Sequence, residues 1–100
     1  MPNLLFAAFV HRADAWDQSL PPQQQSGFPD HAKFVGELEA SGFIAMAGLM
    51  QPSNDVLFIF RAASESEVRS RMAADPWQKD GHARLGRVEE VVFRIGSPGG

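Results

Sequence analysis

The stretch FIAMAGLMQPSNDVLFIFRA, residues 43–62, decides the fold. It holds two apolar runs of strand length, 43–50 and 56–62. Between them lie Gln51, Pro52, Ser53, Asn54 and Asp55, which are turn-forming residues. The second run is rich in β-branched and aromatic residues, which favour strand over helix. The pair reads as a β-hairpin. Gly48, inside the first arm, marks a bulge or a close approach to the backbone.

Outward from the hairpin, the pattern alternates. On its N-terminal side, residues 29–41 carry Phe34, Val35 and Leu38 at helical spacing, with Pro29 at the start and Ser41-Gly42 at the exit. Before that helix comes a long segment, 13–29, with a Pro-Pro break and a glutamine run at 23–25 that reads as solvated. A loop of this length is often a lid or binding loop. The chain begins with NLLFAAFVHR, residues 3–12, an apolar run suited to a strand buried on both faces.

On the C-terminal side, Ser64 and Glu67 form a capping box for a helix over 64–75. Glu65 with Arg69 and Glu67 with Arg71 make i,i+4 pairs on its wet side. Pro76 stops that helix, and DPWQKDG, residues 75–81, reads as a fresh turn capped by Asp75. A last strand is expected over 87–95, with Val91, Phe93 and Ile95 on one face. The order β-α-β-β-α-β is the ferredoxin-like arrangement of the α+β class: a four-stranded antiparallel sheet with its helices on one face. Leu57 and Ile59 alternate with Phe58 and Phe60, so the sheet is apolar on both sides. The expected cover for the second side is another copy of the chain, packed sheet on sheet as a homodimer.

One hundred residues suit one domain, taken as 1–96, with 97–100 as a flexible tail. The chain has no cysteine, which excludes disulfides and thiol chemistry. A net charge of −3 without a basic run argues against nucleic acid as a partner. The N-terminal apolar run is too short to span a membrane and lacks the marks of a signal peptide, so a cytoplasmic protein is expected.

His31 shares the apolar stripe of the first helix with Phe34, Val35 and Leu38, close to the helix start. A neutral imidazole held there is a usable general base. Asp75 is an ordinary helix cap unless it reaches His31, in which case it orients the ring as the third member of a triad does. Trp77 would wall the same cleft and bind substrate, with Gly48 and His11. His11, His31 and His82 lack the spacing of metal ligands, so neither a metal nor another cofactor is expected.

DHAKFVGELEASGFIAMAGLM followed by AADPWQKDG resembles the YCII-related (YciI-like) family, over roughly residues 4–95. The family carries a histidine on its helix and a turn of the form D-P-aromatic-x-x-x-G. The resemblance implies a dimeric α+β barrel, with His31 and Asp75 as an active pair and Gly48, Trp77 and Gly81 in the framework. It implies a cofactor-independent lyase or isomerase-like enzyme acting on a small cyclic or aromatic-derived ligand; a non-catalytic binding or partner-interaction module is the alternative. The segment PPQQQSGFPD, before His31, has no basic residue where members often place an arginine suited to an anionic substrate.

Overall fold

A computed structural model describes residues 3–96. Four strands, β1 (Leu4–Arg12), β2 (Ile44–Leu49), β3 (Val56–Ala62) and β4 (Ala83–Glu90), form one antiparallel sheet in the order β2-β3-β1-β4. Three helices, α1 (Phe28–Ala40), α2 (Glu65–Met72) and α3 (Pro76–Asp80), complete the ferredoxin-like α+β architecture. The tail expected at 97–100 lies outside the described residues. No described helix is long and apolar enough to cross a membrane.

Local chemistry sets the helix ends. Ser41 and Gly42 close α1 as a Schellman motif: Phe43 N–H donates to Leu38 O and Gly42 N–H to Glu39 O, both at 3.0 Å. Ser64 Oγ accepts from Glu67 N–H at 3.2 Å. Glu67 reaches back to Ala63 N–H at 2.7 Å, one residue earlier than the reciprocal capping box would place it. Asp75 Oδ1 accepts from Trp77 N–H at 2.9 Å and caps α3. Gly81 leaves that helix with φ +87°, which only glycine adopts without strain.

The sheet has an inner and an outer face. Phe6, Ala8 and Val10 of β1 point inward with Phe58 and Phe60 of β3, and meet Leu38, Val68, Met72 and Trp77 from the helices in one core. The outer face carries Leu5, Ala7 and Phe9 opposite Arg61, Ile59 and Leu57. Exposed Met46, paired with Ile59, extends this surface. The helices cover the inner face alone.

The last strand departs from expectation. It spans 83–90, not 87–95, because its partner sets its length. Phe6 pairs with Glu90, Val91 N–H still donates to Leu5 O, and β1 itself begins at Leu4. Beyond Val91 no neighbour strand is left, so Phe93 and Ile95 are exposed and share no buried face. Between Leu85 and Val88 a bulge opposes two residues, Gly86 and Arg87, to Phe9 alone, which hid the alternation.

Candidate active site

Only Leu38 of α1 is buried; Phe34 and Val35 are half-buried against the core. The N-terminal half of α1 therefore stands off the sheet. The gap is a cleft of about 310 Å³ between α1, the inner face and the tip of the hairpin. Val10, Phe28, Val35, Val56, Phe58 and Met72 make most of its wall apolar. His31, Asp75, Trp77, Trp16, Arg12, His11 and Asn54 also line it.

The geometry at His31 is closely defined. Nδ1 lies 2.9 Å from Asp75 Oδ1 and 3.0 Å from Oδ2. The Asp75 side chain is 2% exposed and that of His31 20%. The carboxylate also accepts the Trp77 backbone N–H, so it acts as an acceptor on both sides. In the neutral ring Nδ1 then carries the hydrogen and Nε2 keeps its lone pair. Nε2 makes no hydrogen bond among the described residues. One face of the imidazole is stacked on the Trp77 indole, with centroids 3.8 Å apart and planes 13° apart. The indole is fixed in turn by Nε1–H donating to Ser26 O at 2.8 Å and by the edge of Trp16 at 5.2 Å. His31 is thus held along one edge and one face, with the other ring nitrogen available.

The three histidines take three different carboxylates. His11 Nδ1 is 3.1 Å from Asp55 Oδ1, and His82 Nδ1 is 2.8 Å from Asp80 Oδ1. Among the described residues no three histidine, aspartate or glutamate side chains gather as a metal site. His82 is buried and stacks on Trp77 at 5.7 Å but does not line the cleft. His11 borders the cleft, yet its ring lies against Asp55 and Gly86. Gly48 pairs with Leu57 and so faces outward; a Cβ there would meet open space, and no bulge occurs at it. The register shift in β2 falls between Ile44 and Met46 instead.

The 13–27 segment is not structureless. Gln25, in the run expected to be solvated, is 3% exposed and organises it. Its Nε2 donates to Asp17 O at 2.7 Å and to Leu20 O at 3.0 Å, and its Oε1 accepts from Asp17 N–H at 2.9 Å. A 3₁₀ turn at Pro22–Gln24 leads into it. This carboxamide positions Trp16 and Pro22 on the cleft rim. Nothing in the sequence distinguishes Gln25 from its two exposed neighbours. Arg12 was also missed: its guanidinium lies 4.2 Å over the Trp16 ring at the cleft. Comparison of the chain with known proteins gave no match to a family model, a curated protein or a solved structure.

Proposed function

We propose that the chain is a YCII-related, cofactor-independent enzyme that moves a proton on a small, largely apolar cyclic or aromatic-derived substrate, by elimination or isomerisation. The observation that carries this reading is the edge-on contact of Asp75 with His31 Nδ1, which leaves Nε2 unpaired on a ring that lines an apolar cleft. Nε2 is the base and Asp75 the positioning residue. The carboxylate fixes the tautomer and stabilises the imidazolium that forms when the proton arrives. Trp77 prevents the ring from rotating away. The apolar wall favours a ligand with few polar groups and excludes competing water.

The same reading takes the protein as a cytoplasmic homodimer whose outer sheet faces meet. Leu57, Phe9, Ala7 and exposed Met46 form the surface to be covered.

Solvent deuterium incorporation into a panel of cyclic ketones and lactones, read by NMR, tests the chemistry without a known substrate. Wild-type protein should exchange the acidic C–H of at least one member, and His31→Ala should lose that exchange by about 10²-fold or more while keeping its fold. Saturable binding in the cleft without any exchange across the panel would show a binding module instead.

A further inference from the structure

Removing a proton from carbon leaves a charge that the base does not stabilise. In a carbonyl substrate, the C–H electron pair becomes a C=C bond and the carbonyl π pair moves onto oxygen. That oxyanion needs a donor of its own, placed in the same cleft and not committed elsewhere.

The polar groups that line the cleft can be taken in turn. Asp75 is an acceptor and is used by His31 and Trp77. His11 is paired with Asp55. Asn54 has a free carboxamide but no charge. Arg12 is different. It is half-buried at the end of β1, and its guanidinium carbon lies over the Trp16 ring, 4.2 Å from the centroid. Among the described residues no carboxylate lies within ion-pair distance of it, and no protein oxygen accepts from its guanidinium. A cation held over a ring face is attracted by the ring's charge distribution and not by a hydrogen bond to an oxygen or nitrogen acceptor, so its N–H groups remain for other acceptors. Trp16 therefore holds Arg12 in place without using a single donor.

We infer that Arg12 is the electrophilic partner of His31: it donates to the substrate carbonyl oxygen as enolate charge develops, which makes the substrate class a neutral cyclic ketone, ester or lactone with an acidic α-hydrogen. This inference rests on the proton-transfer reading above and extends it to the opposite end of the reacting system. His31 Nε2 takes the α-proton and Arg12 holds the oxyanion. The enolate then collapses: in a β,γ-unsaturated substrate it is a dienolate and takes the proton back from His31 at the γ-carbon, and in a substrate with a β-leaving group the enolate electrons form the new C=C bond while that group departs with its bonding pair and takes the proton from His31.

p-Nitrophenol tests the oxyanion site without turnover, because its ionised form alone absorbs visible light. Bound to wild-type protein it should be ionised at least about ten-fold more readily than in free solution, since a charge-assisted hydrogen bond is worth that much or more. Arg12→Gln should abolish this enhancement, Arg12→Lys should keep part of it, and Asn54→Ala should leave it intact. 4-Nitrotoluene, which has no ionisable oxygen, should bind wild type and Arg12→Gln alike, which shows that the cleft is still formed. The inference is overturned if bound p-nitrophenol is no more ionised than free p-nitrophenol, if it does not bind, or if Asn54→Ala rather than Arg12→Gln removes the effect. Its failure is separate from failure of the proton-transfer reading: loss of deuterium exchange in His31→Ala with an unchanged Arg12→Gln rate would retain the base and reject the electrophile.

Discussion

Replacing Asp75 with asparagine changes one oxygen for an NH2 group and almost nothing in volume, so its consequences can be worked from the contacts. In the wild type, Oδ1 accepts from both His31 Nδ1–H and Trp77 N–H at 2.9 Å, and Oδ2 sits 3.0 Å from Nδ1. An asparagine that keeps its oxygen in the Oδ1 position retains the cap on α3. Its NH2 then confronts the Nδ1 hydrogen at close range. If the ring keeps its tautomer, a buried donor is opposed by a donor, at a cost of about 1–3 kcal/mol. Each kcal/mol lowers the melting temperature of a domain of this size by roughly 4–8 °C.

The ring can relieve the conflict by carrying its hydrogen on Nε2, so that Nδ1 accepts from the new NH2. Stability is then nearly restored, but Nε2 carries an N–H where the neutral wild-type ring has a lone pair, and the proposed base is lost. Nitrogen-15 NMR of the imidazoles, followed across pH, distinguishes the two neutral tautomers from each other and from the imidazolium. The expected result is an Nδ1–H tautomer at His31 in the wild type, and in Asp75→Asn either an Nε2–H tautomer or a melting temperature lower by at least about 4 °C. An unchanged tautomer together with an unchanged melting temperature would refute the assignment of the ring hydrogen on which the proposed chemistry depends.

Gln25→Ala strands the Asp17 N–H and the Leu20 carbonyl and takes one of two donors from Asp17 O, which Leu20 N–H still reaches, so it should cost about 1–3 kcal/mol in urea unfolding and expose residues 17–27 to limited proteolysis. Burial pushes the Asp80 carboxyl up, but hydrogen bonds from the His82 backbone and ring, together with the His82 charge, outweigh this and hold it below the ordinary carboxylate value. A depressed carboxyl stabilises the fold above its unfolded-state value and loses that contribution as pH falls through its folded-state value. Asp80→Asn should therefore flatten the decline of unfolding free energy below about pH 4, measured by denaturant titration across pH. Met46→Asp places a charge on the outer face without touching the core; sedimentation should show dimers converted to monomers, and a wild type already monomeric would remove the sheet-on-sheet pairing.

What could be read from the sequence was what neighbours within a few residues determine. The Ser64–Glu67 cap, the Ser41-Gly42 exit and the Asp75-Pro76-Trp77 turn are short-range devices, and each formed close to where its residue types placed it. The hairpin and the element order followed from strand length and turn chemistry. The misreadings all required knowledge of a partner across the sheet or across a loop. The end of β4 depends on where β1 begins. The side on which Gly48 lies depends on its pairing with Leu57. Gln25 is buried because Asp17 and Leu20 fold back onto it. Arg12 looked like the charged end of a strand, and only the return of Trp16 beneath its guanidinium places it at the cleft. The face on which His31 lies was readable from helical spacing; that Asp75, 44 residues away, meets it is a tertiary fact.

Capping α3 requires one acceptor oxygen, and serine, threonine or asparagine supplies one without burying a charge. Asp75 instead buries a carboxylate, with its side chain 2% exposed, an arrangement that costs free energy unless donors surround it. Trp77 N–H satisfies part of that need. The remainder falls to His31, whose ring could have turned toward water at the start of α1 and is instead stacked on Trp77 and aligned edge-on with the carboxylate. If stability alone governed the site, an apolar residue at 31 and a neutral cap at 75 would fill the same space with fewer desolvated polar groups. The pair therefore exceeds what α3 and the core require. The excess takes one specific form: it fixes a single imidazole tautomer and aims the unpaired nitrogen away from the carboxylate.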